Sequence, residues 1–406
     1  MGRRSQGGAA IPGTETPKKR TFTLGRLLAA LIVVALVAIA LFYGAGGWYY
    51  SAQIRDDVFV VHPPSTSYEL TVSAVLDDAV TLQGSDNDIA SEGRYGLDWP
   101  AGYAQVDDVV TFSEDGSTIT ATRVYLPSED SLPTGTAVRL DTYAYTGTPE
   151  DAFVYPYRDV EYPSSVGQLG AWWVPGGTDT WVIAVHGRTG HRGEIFRMIP
   201  TFFDRSYHVL TIDYRNDPGR AQDPSGWYQY GLTEWEDVAA AAAFARENGA
   251  RNLILYGHSM GGGAVLNFLA KSPLRNHTVA AILDSPVVQL EPVVDLGASQ
   301  RTLIGDFAVP DSLTSVAKQL ASWRFGINWD EYDFVEFWRE YHAPMLIIHG
   351  TGDETVPVET SRRLEAQRPD IVTLVTPSGV GHTRGWNVDP AGYEATVAEF
   401  LDSLGV

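Results

Sequence analysis

From Leu27 to Tyr50 the chain reads LLAALIVVALVAIALFYGAGGWYY, 24 residues without a charge. Inside hydrocarbon a backbone has to satisfy its own N–H and C=O groups, so a segment of this kind must be a helix. At about 1.5 Å per residue it covers the ~30 Å apolar layer of a bilayer with some tilt. Trp48, Tyr49 and Tyr50 close the stretch, and such rings favour the membrane–water interface. Lys18, Lys19, Arg20 and Arg26 precede it, and basic flanks stay on the cytoplasmic side. The expectation is a disordered basic cytoplasmic tail over 1–26, a transmembrane helix over 27–50, and all later residues outside the cytoplasm. This describes a single-pass protein of the cell membrane. A cleaved signal peptide is the alternative, but its small-x-small site, Ala38-Ile-Ala40, lies inside the apolar run instead of behind it.

Charge divides at the same place. Residues 1–50 hold six basic side chains and one acid, a net of +5, which leaves 23 basic and 49 acidic groups beyond them, a net of −26. So acidic a body repels phosphate backbones, which excludes nucleic acid as a partner. With no cysteine, disulfides, thiolate metal sites and a cysteine nucleophile are excluded as well.

Residues 51–66 read as a linker ending in the turn-forming His62-Pro-Pro-Ser-Thr66. Over 67–150, β-branched and alternating runs are separated by Gly, Asp, Asn and Pro clusters, which predicts a small all-β domain of five to seven strands. From 155 to 406 the rhythm becomes strand, loop, helix. Apolar runs at 169–174, 181–186, 208–212, 253–256, 279–283, 345–349 and 371–375 alternate with helical stretches such as 233–247 and 261–271. That alternation predicts an α/β fold with a mostly parallel central sheet covered on both faces. Residues 286–342 interrupt it. They carry Trp323, Phe325, Trp329, Phe334, Phe337 and Trp338, and read as a helical lid or cap insertion beside a pocket; a structural excursion with its aromatics in a core is the other reading.

Within this body, Ile254-Leu-Tyr-Gly-His-Ser-Met-Gly-Gly-Gly263 sets four glycines around Ser259. A strand that turns sharply into a helix needs small residues two before and two after the apex, here Gly257 and Gly261. It pushes the apex hydroxyl out in a strained conformation. A serine hydroxyl needs a base, and the base needs an acid to orient it. Of nine histidines, His186, His258 and His349 belong to turns around strands, and His62 to the linker. His191, His208, His277 and His342 lack a suitably placed acid before them. His382 remains, in the Gly-rich loop Ser378-Gly-Val-Gly-His-Thr383. The acid expected for it is Asp353, in His349-Gly-Thr-Gly-Asp-Glu-Thr-Val-Pro357, with Asp284 as its rival and Glu354 as a neighbour. Donors for a developing oxyanion are expected at the backbone amides of Met260 and Arg188, the second to within one residue. The Arg188 side chain reads as solvated surface or as a contact for an anionic group.

"YGHSMGG", "VHG", "DYR" at 213–215, "HGTGDETVP" and "GVGH", in that order, resemble the α/β-hydrolase superfamily, in particular its serine esterase, lysophospholipase and aminopeptidase-like members. The resemblance covers residues 155–406 and does not extend to the β domain. It implies Ser259 as nucleophile, Asp353 as acid, His382 as base and the Met260 and Arg188 amides as oxyanion donors; Asp213-Tyr-Arg215 matches a structural motif. Many relatives have a glycine-rich HGGG loop where this chain has His186-Gly-Arg-Thr-Gly190. The implied activity is a membrane-anchored serine hydrolase acting on small-molecule or lipid esters through an acyl-enzyme, with no metal or organic cofactor. A peptidase with the same triad and a non-catalytic scaffold on the same frame are the alternatives.

Overall fold

The uncharged stretch is helical throughout. Helix α1 runs from Leu24 to Ile54 and passes directly into a π-helical turn, Arg55–Phe59. The computed structural model describes Gly2 and residues 24–62, 66–85, 87–304 and 307–406. The expected tail up to Thr23, Gly2 apart, and Pro63–Ser65 of the expected linker lie outside these; Leu24, Gly25 and Arg26 already belong to α1. Leu24–Phe42 is exposed along its whole length, and from Leu27 on this is about 24 Å of bare apolar helix. From Tyr43 onward α1 docks on the rest of the molecule. Residues 51–59 are thus helical and packed, where the sequence reads as linker. No Gly or Pro interrupts SAQIRDDVFVVH, and Phe59 is fully buried among the rings of Trp227, Tyr230, Trp329 and Tyr332.

Six strands follow: β1 (Leu70–Val75), β2 (Ala79–Gly84), β3 (Tyr95–Trp99), β4 (Gly102–Asp115), β5 (Thr118–Leu126) and β6 (Ala137–Asp141). They close into an antiparallel barrel in the order β1-β2-β5-β4-β3-β6. Alternate residues of β5 point inward, Ile119, Ala121, Arg123 and Tyr125. The inward Arg123 is fully buried and donates to the carbonyls of Ile89, Ser91 and Gly93, which replaces the water its guanidinium gives up.

After the short α2 (Pro149–Phe153), β7 (Arg158–Ser164), β8 (Gly167–Val174), β9 (Thr180–Val185), β10 (His208–Ile212), β11 (Asn252–His258) and β12 (Thr278–Asp284) build most of one eight-stranded sheet. α3 (Ile199–Phe203), α4 (Trp235–Glu247) and α5 (Met260–Lys271) lie between its strands. The remainder of the chain supplies α6 (Leu290–Ser299), the hairpin β13 (Thr302–Ile304) and β14 (Phe307–Ala308), and α7 (Asp311–Phe325). It ends with β15 (Met345–Ile348), α8 (Val358–Gln367), β16 (Val372–Val375), α9 (Gly385–Val388) and α10 (Pro390–Leu404). The sheet order is β16-β15-β12-β11-β9-β10-β8-β7, parallel from β16 to β10, with β8 and β7 antiparallel. Leu253 and Leu255 enter the core on one face of the sheet and Ile254 and Tyr256 the core on the other. A strand buried on both sides explains why its sequence is a continuous apolar run instead of an alternating one.

Residues 286–342 leave the sheet between β12 and β15 as α6, the hairpin, α7 and 3₁₀ turns. Their aromatics do not gather at an opening. Phe334 is fully buried; Phe325, Trp329 and Phe337 pack against the same core; Trp323 is exposed on α7.

Candidate active site

Ser259 sits between β11 and α5 at φ 49°, ψ −116°, a region that residues with a side chain seldom adopt. The glycines make this turn possible. A Cβ on Gly261 would lie 2.4 Å from the carbonyl oxygens of both Val185 and His186, and one on Gly257 would lie 2.9 Å from the Gly261 carbonyl oxygen. Strand, turn and helix are therefore in backbone contact around the serine. Met260 opens α5, so its N–H has no intrahelical acceptor.

His382 reaches this serine from the loop between β16 and α9. Its Nε2 is 2.8 Å from Ser259 Oγ and its Nδ1 is 2.7 Å from Asp353 Oδ2. The Asp353 side chain is closed off from solvent, while that of His382 remains 21% exposed, which leaves the ring accessible from one side. Asp353 Oδ1 accepts from the amides of Thr355 and Val356, each at 2.8 Å. Burial alone would raise this carboxyl's pKa. Hydrogen bonds from His349 and His382, the His382 charge and the Val356 amide outweigh it and hold the group well below the usual carboxylate range. The rival acid, Asp284, is turned elsewhere: its Oδ2 accepts from Tyr393 at 3.0 Å and its Oδ1 from Ser285 at 3.2 Å.

The loop after β9 packs on the serine, since a Cβ on Gly187 would lie 3.3 Å from Ser259 Cβ. Within it the Gly187 amide donates to Glu194 at 2.7 Å and the Gly190 amide to the Gly187 carbonyl at 3.2 Å. The amides between them, of Arg188 and Thr189, are those this loop can turn toward a ligand. The Arg188 guanidinium donates to the Asp57 carbonyl at 3.2 Å, so it is tied to the π-helical turn that follows α1.

Residues 177–321, from just before β9 through most of α7, match a family model described as serine aminopeptidase, S33. The chain also resembles an uncharacterized protein of Mycobacterium tuberculosis, 25% identical over 260 residues, 61% of this chain and 80% of that one. Among solved structures, the esterase Pf2001 of Pyrococcus furiosus superimposes with a TM-score of 0.51 at 23% identity, over 64% of this chain and 96% of its own, a likeness of fold. The chain has the α/β-hydrolase fold, and its matched part is similar to a family of that superfamily. The lysophosphatidylserine lipase ABHD12 of Macaca fascicularis is 25% identical over 193 residues, 45% of this chain and 44% of that lipase.

Two features of this α/β-hydrolase fold carry no sequence signature. The first lies beneath the serine. Glu194 is buried, accepts from the Gly187 amide, and has His258 Nδ1 at 3.5 Å; nearby, His186 Nε2 meets Asp217 at 2.9 Å. Burial opposes the charge on Glu194, but His258, the Gly187 amide and His186 bring its pKa down to about 2. The folded value is depressed, so its contribution to stability is present above the ordinary glutamate pKa and is lost as pH falls from there toward 2. Glu194→Gln is expected to cost about 3 kcal/mol at pH 7 and to flatten the fall of Tm between pH 4.5 and 2. Thermal melts across that range check it, and parallel curves for the two proteins would refute it.

The second feature joins the barrel to the histidine loop. Asn387 of α9 is fully buried and donates to the carbonyls of Arg94 (2.7 Å) and Thr142 (2.9 Å) at the barrel's edge. It accepts from Arg197 at 2.7 Å, and Arg197 in turn donates to the Thr383 carbonyl at 2.9 Å, next to His382. At Gly93, φ 99°, an added Cβ would come 1.9 Å from the Asn387 carbonyl oxygen, so only glycine fits. Asn387→Ala strips buried donors and acceptors of partners, and is expected to cost about 3 kcal/mol. Thermal melts of the two proteins check it, and an unchanged Tm would refute it.

Two cavities meet at this centre. One, of about 300 Å³, includes Ser259 and has a mostly apolar surface, to which Ile54, Val58, Val287, Val293, Val294 and Val309 contribute. The other, about 700 Å³ and more polar, lies between the barrel and the loop of His382, lined among others by Glu92, Tyr95, Thr142 and Ser378. Glu354 and Thr355 border both.

Proposed function

We propose that the protein is a serine hydrolase of carboxylic esters, held to a membrane by the apolar part of α1. The reading rests on one observation, the continuous row Asp353 Oδ2, His382, Ser259 Oγ with links of 2.7 and 2.8 Å. In this reading Nε2 of His382 takes the Ser259 proton as Oγ attacks the ester carbonyl. Asp353 fixes the tautomer with the proton on Nδ1 and stabilises the imidazolium. The amides of Met260 and Arg188 receive the developing oxyanion, each worth about 3–4 kcal/mol in the transition state. The protonated ring then releases the alcohol, and a water deprotonated by His382 resolves the acyl-enzyme.

The aliphatic cavity suits the acyl chain and the polar cleft beside His382 the alcohol. The cavity carries two acids, Asp57, which is paired with Arg301 at 2.6 Å, and Glu354, which borders the polar cleft as well. Its mostly apolar wall is what supports esters over the aminopeptidase activity that the family description names. The positive flank before α1 supports a cytoplasmic N-terminus with the hydrolase on the far side.

A fluorophosphonate probe tests the reading, with the wild type expected to be labelled and Ser259→Ala not. A folded protein that resists the probe would favour a scaffold without chemistry. Faster turnover of aminoacyl anilides than of p-nitrophenyl esters would favour the peptidase.

A further inference from the structure

The segment that anchors the chain is also built into the domain. Tyr43 meets Ser312 Oγ at 2.8 Å at the start of α7, and Arg324 at the end of α7 donates to the Trp48 carbonyl (2.6 Å) and Ser51 Oγ (2.5 Å). The Arg324 guanidinium also lies 3.6 Å from the centre of the Trp48 ring. Between these ties the helices touch through glycine: a Cβ on Gly47 would lie 2.8 Å from Val316 and 3.0 Å from Leu320, and one on Gly46 would lie 3.2 Å from Leu313. Further on, Tyr230 donates to the Val58 carbonyl and the Tyr228 amide to that of Phe59. Tyr50, Gln53, Ile54, Asp57 and Val58 then line the cavity over Ser259, opposite Val287, Val294 and Ala317.

We infer that α1 is a working wall of the acyl site, with Ile54 among the residues that set the length of acyl chain accepted; this rests on the ester-hydrolase reading above. The substrate class is an ester whose acyl part is a single aliphatic chain long enough to reach α1. Without the anchor helix the cavity would lose one side and open to water. Each methylene it buries is worth roughly fourfold in kcat/KM, so selectivity should climb with chain length until the chain meets the α1 wall and then stop.

The experiment uses full-length protein in nanodiscs and a series of p-nitrophenyl esters from acetate to laurate. Ile54→Trp projects an indole into the cavity and is expected to lower the ratio of decanoate to acetate kcat/KM at least tenfold. Ile54→Ala enlarges the cavity and is expected to move the optimum to longer chains; it serves where the tryptophan variant does not fold. Two folded variants with the wild-type length profile would overturn the inference while leaving the hydrolase reading intact, provided both still react with fluorophosphonate. A wild type that neither reacts nor turns over any ester would instead remove the reading beneath it.

Discussion

Ser259→Ala is expected to lower kcat for ester hydrolysis by roughly 10⁶-fold, the scale on which removal of an activated serine acts. Its thermal stability should scarcely change. Alanine keeps the Cβ that makes φ 49° unfavourable, so native strain is carried over and only a part-exposed hydroxyl is lost. Ser259→Gly separates the two contributions. Glycine adopts that backbone freely, and relief of about 1 kcal/mol of strain should give a protein as inactive as the alanine variant but melting a few degrees above it. Steady-state rates with p-nitrophenyl butyrate and melts on the same preparations decide this. Retention of even one part in a hundred of the activity by Ser259→Ala would end the nucleophile assignment.

Asp353→Asn is expected to cost about 10⁴-fold in kcat, for a reason visible in the hydrogen bonds. Oδ1 accepts from two backbone amides, so an asparagine must keep its oxygen there and turn its NH₂ toward His382. A donor facing Nδ1 forces the ring proton onto Nε2, where it points at Ser259, and a protonated nitrogen cannot take the serine's proton. Raising the pH cannot rescue this variant, because the defect is one of tautomer and not of charge. Rates measured from pH 6 to 9 should therefore stay parallel to and far below the wild type; recovery at high pH would sink the explanation.

How much of this could be read from the chain differs from element to element. Strand β11 was legible because both its faces are buried, which leaves an unbroken apolar run ending in the glycines that Ser259 needs. Asp353 and His382 were legible through the glycines that shape their loops, and those loops place the two side chains 2.7 Å apart. Asn387 and Glu194 were not, since each acts through one side chain among partners distant in sequence, with no spacing to betray it. The insertion's aromatics were ambiguous. A Trp- and Phe-rich segment fits a lid as well as a core, and only the fold shows that Trp329 and Tyr332 pack around Phe59 while smaller residues of the insertion, such as Val287, Val294 and Ala317, line the cavity at Ser259. The course of α1 past Tyr50 had only a weak local sign, the lack of Gly and Pro over 51–62, because the packing of Phe59 that holds it comes from residues distant in sequence.

The unbroken run of α1 from bare apolar surface into the clamp formed by α7 removes any swivel between anchor and domain. In a bilayer, every degree of helix tilt would be handed to the whole domain, and the height of the site above the lipid would be fixed by one rod instead of a tether. Bilayer thickness would then act as a mechanical setting on where Ser259 stands.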